Sequence, residues 1–425
     1  MKTTITTTKS SRRSLAVAIQ IFQLIPPGLI DGIAEEEGAE VRSFTCSNQV
    51  MLLMFGQLSG AFSLNEICDA SEVHRKKLSH FRGMQPAHRN TFSHANRTRT
   101  PAVAERLFWA MKKRLESVAP RFMHPRHKGH LARFRYRSIF AIDSTTIQLS
   151  AKSIDWARHR RQKAAAKLHM RCDVASRLPS FACVTPAKPA DNREMEHLCL
   201  DLKADNIAIF DRAYNDFGAL GRLDARGIFF VVREKELMQY AVKRRVPKRM
   251  RPLNVLSDET IVLTGVQTSS KYPVPLRRVR VRVDMDGDLR EMVFLTNNMQ
   301  WSAMTIAELY LARWQVELLF KELKQTLQLR DFYGENASAV AWQIWTALLT
   351  HMLLRHLAFC SSWHASYTRF AGVIRAALWE RQDLMTLLRF YGTATPPPAT
   401  AWNAKVPCLP GLERYAARSM GQHQH

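Results

Sequence analysis

The chain has 425 residues, enough for two or three domains of ordinary size with a sizeable core, and too many for a mini-protein. Hydrophobic residues make up 46% of it and charged residues 23%, which excludes wholesale disorder and a collagenous or fibrous repeat. The charge is the unusual quantity: 62 Lys and Arg against 37 Asp and Glu leave +25, so a polyanionic partner is expected, nucleic acid ahead of an anionic membrane surface.

Seven cysteines, an odd number without C-x-x-C spacing, indicate neither a disulfide framework nor a zinc knuckle and give a cytoplasmic expectation. Residues 1–14 are Thr, Ser, Lys and Arg in the main, with no acid, and read as a mobile tail. Arg12 and Arg13 precede an apolar run over residues 15–25 that imitates a secretory signal. Gln20 and Gln23 interrupt it and no small-residue cleavage site follows, so it reads as a short amphipathic helix. Residues 49–58 form an apolar helical run that stops near Gly60, and Ser63 with Glu66 makes a capping box for the next helix. Between residues 112 and 137 stand nine cations, Lys112, Lys113, Arg114, Arg121, Arg126, Lys128, Arg133, Arg135 and Arg137, against one acid, Glu116. With Phe122, Phe134 and Tyr136 interleaved, this stretch fits phosphate tracking better than a merely solvated face.

After Arg137 the pattern becomes β-like, with candidate strands at 139–149, 168–174, 180–185, 207–210 and 228–233 and helices near 194–202 and 216–224. Three strands, helix, strand, helix, strand is a mixed α/β order. A second β-rich stretch over 235–300 has strands near 260–266, 279–283 and 292–295. It opens with the cations Lys243, Arg244, Arg245, Lys248, Arg249 and Arg251, and alternation along Arg278, Arg280 and Arg282 puts three guanidinium groups on one strand face, expected to meet water or DNA. Helices return from residue 302 to about 328 and through 337–360 and 369–391. The apolar run 339–359 contains Gln343, His351, Arg355 and His356, costly inside a bilayer, and reads as a buried core helix rather than a membrane span. A Pro-rich break over 395–400 precedes a polar tail.

In a chain this basic, acids inside apolar strands stand out, because a buried carboxylate is costly unless it is paired or binds a metal. Asp143 lies in FAIDSTTI and Asp211 ends IAIFD. Either one alone is as compatible with a cap or a turn as with function. The helix from residue 302 supplies a third acid in Tyr310, Arg313, Glu317 and Lys324. On a continuous helix these four fall at roughly 0°, 300°, 340° and 320°, an arc about 60° wide, with Glu308 and Glu322 well outside it. A surface salt bridge between Glu317 and Lys321 is the bland alternative.

Together these motifs resemble the DDE-type cut-and-paste transposases of bacterial insertion sequences, specifically insertion sequence family four with its Tyr, Arg, Glu, Lys signature. The resemblance rests on Asp143 in FAIDSTTI, Asp211 in IFDRAY, Thr296-Asn297, and Tyr310, Arg313, Glu317 and Lys324. SLNEIC at 63–68 and Ser93-His94-Ala95-Asn96 also look like the N-terminal region of some members, so it covers roughly residues 44–355.

The resemblance implies an α/β fold, an RNase H-like mixed sheet core with a β-rich insertion and helical N-terminal and C-terminal regions. The expected division is 1–130 for DNA binding, 131–234 for the first part of the core, 235–300 for the insertion, 301–360 for the second part and 361–425 for a C-terminal helical region and tail. It implies catalysis and metal binding by Asp143, Asp211 and Glu317, and DNA contact by Tyr310, Arg313 and Lys324. It also implies two Mg²⁺ or Mn²⁺ ions about 4 Å apart, suited to in-line phosphoryl transfer. Double-stranded DNA, as element ends and target, is the implied partner, with a homodimer in the synaptic complex and no membrane. Relatives stack a flipped base on a Trp of the insertion; residues 235–300 contain none, and Trp301 at the boundary is the nearby candidate. The alternatives are a catalytically silent DNA-binding relative and a metal-dependent nuclease of the same fold. His124, His127 and His130 have a spacing open to metal, but Pro125 and Gly129 break the helix it would need. No G-x-x-x-x-G-K-[ST] loop occurs, which argues against ATP-driven chemistry.

Overall fold

The fold is given by a computed structural model, which describes residues 15–39, 43–149, 164–186, 194–235, 237–285, 288–327, 329 and 332–392. The expected N-terminal tail and the Pro-rich break lie outside these residues. Two compact units are formed, one drawn from Met1–Met123, Ile147–Ala166 and Phe320–Pro396, the other from His124–Thr146, Lys167–Leu319 and Pro397–His425.

The first unit is helical. Its helix Cys46–Ser59 starts where the Thr45 hydroxyl accepts from the Asn48 amide at 3.2 Å, and ends at Gly60 in the left-handed region. It is buried at Cys46 and from Asn48 to Leu58 and packs on the helix Ala337–Cys360. Gln57 joins them, donating to the Gln343 carbonyl at 3.1 Å and accepting from Thr350 at 2.8 Å, which satisfies a buried amide that would otherwise be costly. Ala337–Cys360 is long and apolar enough to cross a membrane, yet 83% of its most apolar window is buried inside the protein, as a core helix requires. Ser63 accepts from the Glu66 amide at 3.2 Å, while Glu66 reaches back to the Phe62 amide at 2.9 Å.

Two expectations change in this unit. The N-terminal helix Val17–Phe22 is not amphipathic: Val17, Ala18, Ile19, Ile21 and Phe22 are all buried, and Gln20 donates to the Gln382 carbonyl at 2.7 Å. The run expected as one helix over 369–391 is two, Tyr367–Ala376 and Leu384–Gly392.

The second unit is built on one nine-stranded sheet. Its strands are β1 (Ile139–Leu149), β2 (Ala164–Asp173), β3 (Leu178–Pro186), β4 (Ile207–Phe210), β5 (Phe229–Arg233), β6 (Tyr240–Arg245), β7 (Val255–Leu263), β8 (Leu276–Met285) and β9 (Asp288–Thr296). They lie in the order β3-β2-β1-β4-β5-β9-β8-β7-β6. β1, β4 and β5 are parallel, and the segments that pair, Ile139–Ile142 of β1, all of β4 and Phe229–Val232 of β5, are apolar, as strands covered on both faces must be. One face packs Ile142, Phe210, Phe230 and Leu295 with Leu198, Leu220 and Tyr272 into a single cluster. Asp216 caps the helix Phe217–Ala225 by accepting from the Ala219 amide at 2.9 Å.

The 235–300 stretch joins this sheet rather than folding apart from it: β9 pairs with β5 from Val231↔Thr296 to Arg233↔Phe294, and β8, β7 and β6 follow as an antiparallel meander. β6, which the sequence reading passed over as a basic cluster, is a strand whose Lys243, Arg244 and Arg245 are exposed. The expectation that Arg278, Arg280 and Arg282 all face water or DNA holds for the last two only. Arg278 is held by Glu234 at 2.8 Å and Glu259 at 3.4 Å with its side chain 14% exposed, because Glu259 lies across from it on β7 and Glu234 directly follows β5.

Candidate active site

The carboxylates are placed by strand register. Ile142 pairs with Phe210 across the parallel β1 and β4, so the next residues, Asp143 and Asp211, emerge side by side where the strands end their pairing. Asp211 is the N-cap of the turn Arg212–Tyr214, yet its side chain makes no capping bond. Its carboxylate accepts instead from the Tyr310 hydroxyl at 3.2 Å.

The helix expected from residue 302 to about 328 is two helices, Ala303–Leu311 and Trp314–Thr326, with a turn at Ala312 and Arg313. A continuous wheel therefore does not describe it. The turn sits at the signature itself, and it brings Tyr310, Arg313 and Glu317 together all the same. Arg313 Nη1 donates to Asp143 Oδ2 at 2.7 Å, Nη2 lies 2.5 Å from Glu317 Oε1, and the guanidinium stands 5.5 Å from the centre of the Tyr310 ring. Tyr310 is itself buried against Phe294 of β9, ring centres 4.5 Å apart. Lys324 lies seven residues beyond Glu317 on the same helix, about two turns and roughly 10 Å along the axis.

Burial pushes Asp143 up to about 6; Arg313 and the Ser144 amide, which donates at 2.8 Å, pull it down, while the charges of Asp211 and Glu317 raise it further. That mutual repulsion is the electrostatic sign of three acids sharing one pocket. Burial works to lower the pKa of Arg313, but Tyr310, Asp143, Glu317 and Asp211 outweigh it and raise the value. Burial also pushes Tyr310 up to about 12, so its hydroxyl keeps the proton it donates to Asp211. The oxygens of the three acids do not all lie within 4.8 Å of one another, and Arg313 stands between two of them. One donor remains over: the buried Nε of Arg313 has no hydrogen-bond partner.

Three hard oxygen donors around one pocket are the set that divalent ions such as Mg²⁺ and Mn²⁺ take, so the residues fit such ions. The three histidines do not gather: His127 bonds the Arg137 carbonyl at 3.0 Å and His130 faces Glu308 at 3.5 Å. Trp301 packs between Phe134 and Phe229, centres 5.3 and 5.1 Å away. Two contributors escaped the sequence reading. Asn297, noted only as part of a motif, donates to Asp224 at 2.7 Å and to the Ile228 carbonyl at 3.0 Å and accepts from the Phe230 amide at 3.0 Å, fixing β5. Arg233, which ends β5, is a positive charge near Tyr310 that works against the rise of its pKa, and a cation closing an apolar strand beside β4 was the signal available.

A parallel β1-β4-β5 core flanked by β2 and β3, with Asp143 within β1 and Asp211 just after β4 where their pairing stops and a third acid on a later helix, is an RNase H-like arrangement. The profile described as the transposase DDE domain matches residues 135–353, and the chain belongs to that family. A second profile, a domain of unknown function (DUF4372), matches residues 14–85. The chain is 32% identical to transposase y4zB of Sinorhizobium fredii over 65% of its own length and 74% of that protein's. It is 29% identical to the transposase of insertion sequence element IS5377 of Geobacillus stearothermophilus, over 51% and 55% of the two chains. To transposase InsG of insertion sequence element IS4 of Escherichia coli it is 23% identical, over 45% and 43%. It is a DNA transposase of the insertion-sequence type, an enzyme acting on DNA, in a family that typically uses divalent metal.

Proposed function

We propose that this transposase excises and integrates an insertion sequence by cut-and-paste phosphoryl transfer, with Asp143, Asp211 and Glu317 as its catalytic metal ligands. The observation that carries the reading is the convergence of Asp143 and Glu317 on Arg313 and of Asp211 on Tyr310, from four separate elements. Two divalent ions held by the three carboxylates would activate the attacking oxygen and stabilise the leaving one. Water would attack first and nick one strand at the element's end, and the freed 3′-hydroxyl would then serve as nucleophile, in excision by breaking the second strand and later in strand transfer to target DNA.

The chain's own residues prepare this chemistry. Tyr310 holds Asp211 from one side with a hydroxyl that stays protonated. Arg313 carries a fixed positive charge beside the acids, suited to attracting a DNA phosphate near the reacting bond. Lys324, two turns further on, extends the cationic line along the helix and fits a contact to the next phosphates. Exposed cations at Arg121, Arg126, Lys128 and Arg135 and on β6 add sequence-independent attraction for the duplex. The 1–130 region is proposed as the DNA-binding part, a homodimer as the synaptic form, and the cytoplasm as the place of action, away from any membrane.

The test is a cleavage and strand-transfer assay on linear DNA carrying the element's own ends, with Mg²⁺ or Mn²⁺, comparing the native chain with Glu317→Ala. Metal-dependent excision and a joined product, both lost in the variant, are expected. Cleavage without joining would replace the reading with a nuclease of the same fold. Tight binding to the ends without breakage in either protein would leave a silent relative.

A further inference from the structure

At the edge strand of the same sheet, two strands from β1, donors of three different kinds meet. Cys183 lies on β3, the edge strand of the sheet; His197 belongs to the one-turn helix Met195–Leu198, and Glu194 is that helix's N-cap. The Cys183 sulfur, a Glu194 carboxylate oxygen and a His197 ring nitrogen all lie within 4.8 Å of one another, the one such group of three among the described residues. His197 Nδ1 stands 3.8 Å from Glu194 Oε2. Cys183 and Glu194 are half-buried and His197 is exposed, so solvent reaches the group.

We propose that Cys183, Glu194 and His197 form a second metal site, separate from the acidic cluster, that takes a borderline-soft divalent cation of the zinc type. The donor set decides the ion. A thiolate and an imidazole select zinc-like cations, whereas Mg²⁺ and Ca²⁺ prefer all-oxygen ligation. Bonds of about 2.0 to 2.3 Å in a tetrahedral site put ligand atoms roughly 3.5 Å apart, so the observed spacing needs side-chain shifts of only about 1 Å. The fourth position stays open to water.

The support beneath these donors is rigid although the donors themselves are accessible. Met195 and Leu198, on the same turn as His197, are fully buried in the core cluster with Ile142 and Phe210. The Leu198 carbonyl accepts from the buried Arg171 at 2.8 Å, which ties the turn to β2. Phe181, two residues before Cys183, meets the His197 ring edge to face, centres 4.9 Å apart and planes at 76°, and so fixes the imidazole plane. Glu196, the neighbouring acid, is already paired with Arg222 at 3.0 Å and leaves Glu194 as the ligand. An ion here ties the sheet's edge strand to the helical turn and protects an edge whose backbone is otherwise open on one side.

The test uses the full-length protein stripped of metal and titrated with Co²⁺, whose bonding to a thiolate produces a charge-transfer band in the near ultraviolet. One equivalent of Co²⁺ is expected to develop this band, to be displaced by Zn²⁺ and to be unaffected by a large excess of Mg²⁺. Cys183→Ser loses the band, Cys183→His keeps Co²⁺ without it, and His197→Ala weakens binding by at least about tenfold. Glu317→Gln keeps the band even where it abolishes DNA cleavage, so failure at one site is told apart from failure at the other. Equal melting temperatures of native and Cys183→Ser protein in chelator exclude misfolding as the cause. A thiolate band that survives in folded Cys183→Ser, or a native chain that binds Co²⁺ no tighter than millimolar, overturns the proposal.

Discussion

Arg313 donates to Asp143 at 2.7 Å and lies 2.5 Å from Glu317, so one guanidinium bridges acids delivered by β1 and by the helix that follows the turn. In this arrangement the cation neutralises the charge that divalent ions are proposed to neutralise, and it shares their ligand oxygens. Arg313→Ala is therefore expected to melt several degrees below the native chain in chelator and to recover with Mn²⁺. Its Mn²⁺ affinity, followed by electron paramagnetic resonance, should rise by about tenfold or more, the equivalent of about 1.4 kcal/mol. Unchanged Mn²⁺ affinity would show that Arg313 does not compete for the acids, whatever happens to DNA cleavage.

Asp143 sets a pH dependence whose sign follows from its surroundings. Its carboxyl is raised from an ordinary value of 3.8 to about 6, chiefly by burial, so protonation favours the folded chain. That contribution is fully present below about pH 4 and is lost as pH rises through about 6. In chelator, Asp143→Asn should match the native melting temperature below about pH 4 and exceed it above about pH 6. An Asn variant that is the less stable at neutral pH would mean that the bond to Arg313 outweighs the cost of burial.

The insertion strands carry a buried ion pair. Arg277 of β8 reaches both oxygens of Asp258 on β7, at 2.8 and 2.7 Å, with side chains only 11% and 8% exposed. Removing one partner leaves an uncompensated buried charge, so Asp258→Ala should cost about 3–5 kcal/mol in a denaturant titration. Replacing both residues with apolar ones of similar volume should cost much less, which separates the pair's net worth from the penalty of breaking it.

Gly56 tests the packing of the helical unit. A Cβ built there would stand 2.4 Å from Ile67 Cδ1 and 3.2 Å from the Tyr333 hydroxyl, where the helix Leu64–Val73 approaches closely. Gly56→Ala is expected to destabilise by about 1–3 kcal/mol through overpacking, and Gly56→Ala with Ile67→Val to recover part of that loss. Additive costs in the double variant would show that the two residues do not compete for space.

Much of the site was legible in the sequence, because an acid in an apolar strand is conspicuous whatever surrounds it. Asp143 in IFAIDSTTIQL and Asp211 after IAIF stand out by burial cost, although a cap or a turn would explain either one alone, and the strands Ile139–Leu149 and Ile207–Phe210 follow from the same pattern. Glu317 needed spacing as well, and the spacing argument picked out Tyr310, Arg313 and Glu317, which the structure brings close together, while assuming a helix that in fact turns at Ala312 and Arg313. The partners of Arg278 were beyond reach. Glu234 and Glu259 are 44 and 19 residues away in sequence, and only the meander of β7, β8 and β9 beside β5 brings them together.

The amino-acid sequence by itself determined the mixed α/β order, the acids and the polyanionic partner, since charge, periodicity and the cost of burying a carboxylate act locally. The tertiary structure alone decided which cations are free and which are spent, how Asn297 fixes β5, and that Cys183 meets Glu194 and His197. Those outcomes depend on strand register and on the closure of long loops, and no local pattern of residues encodes either one.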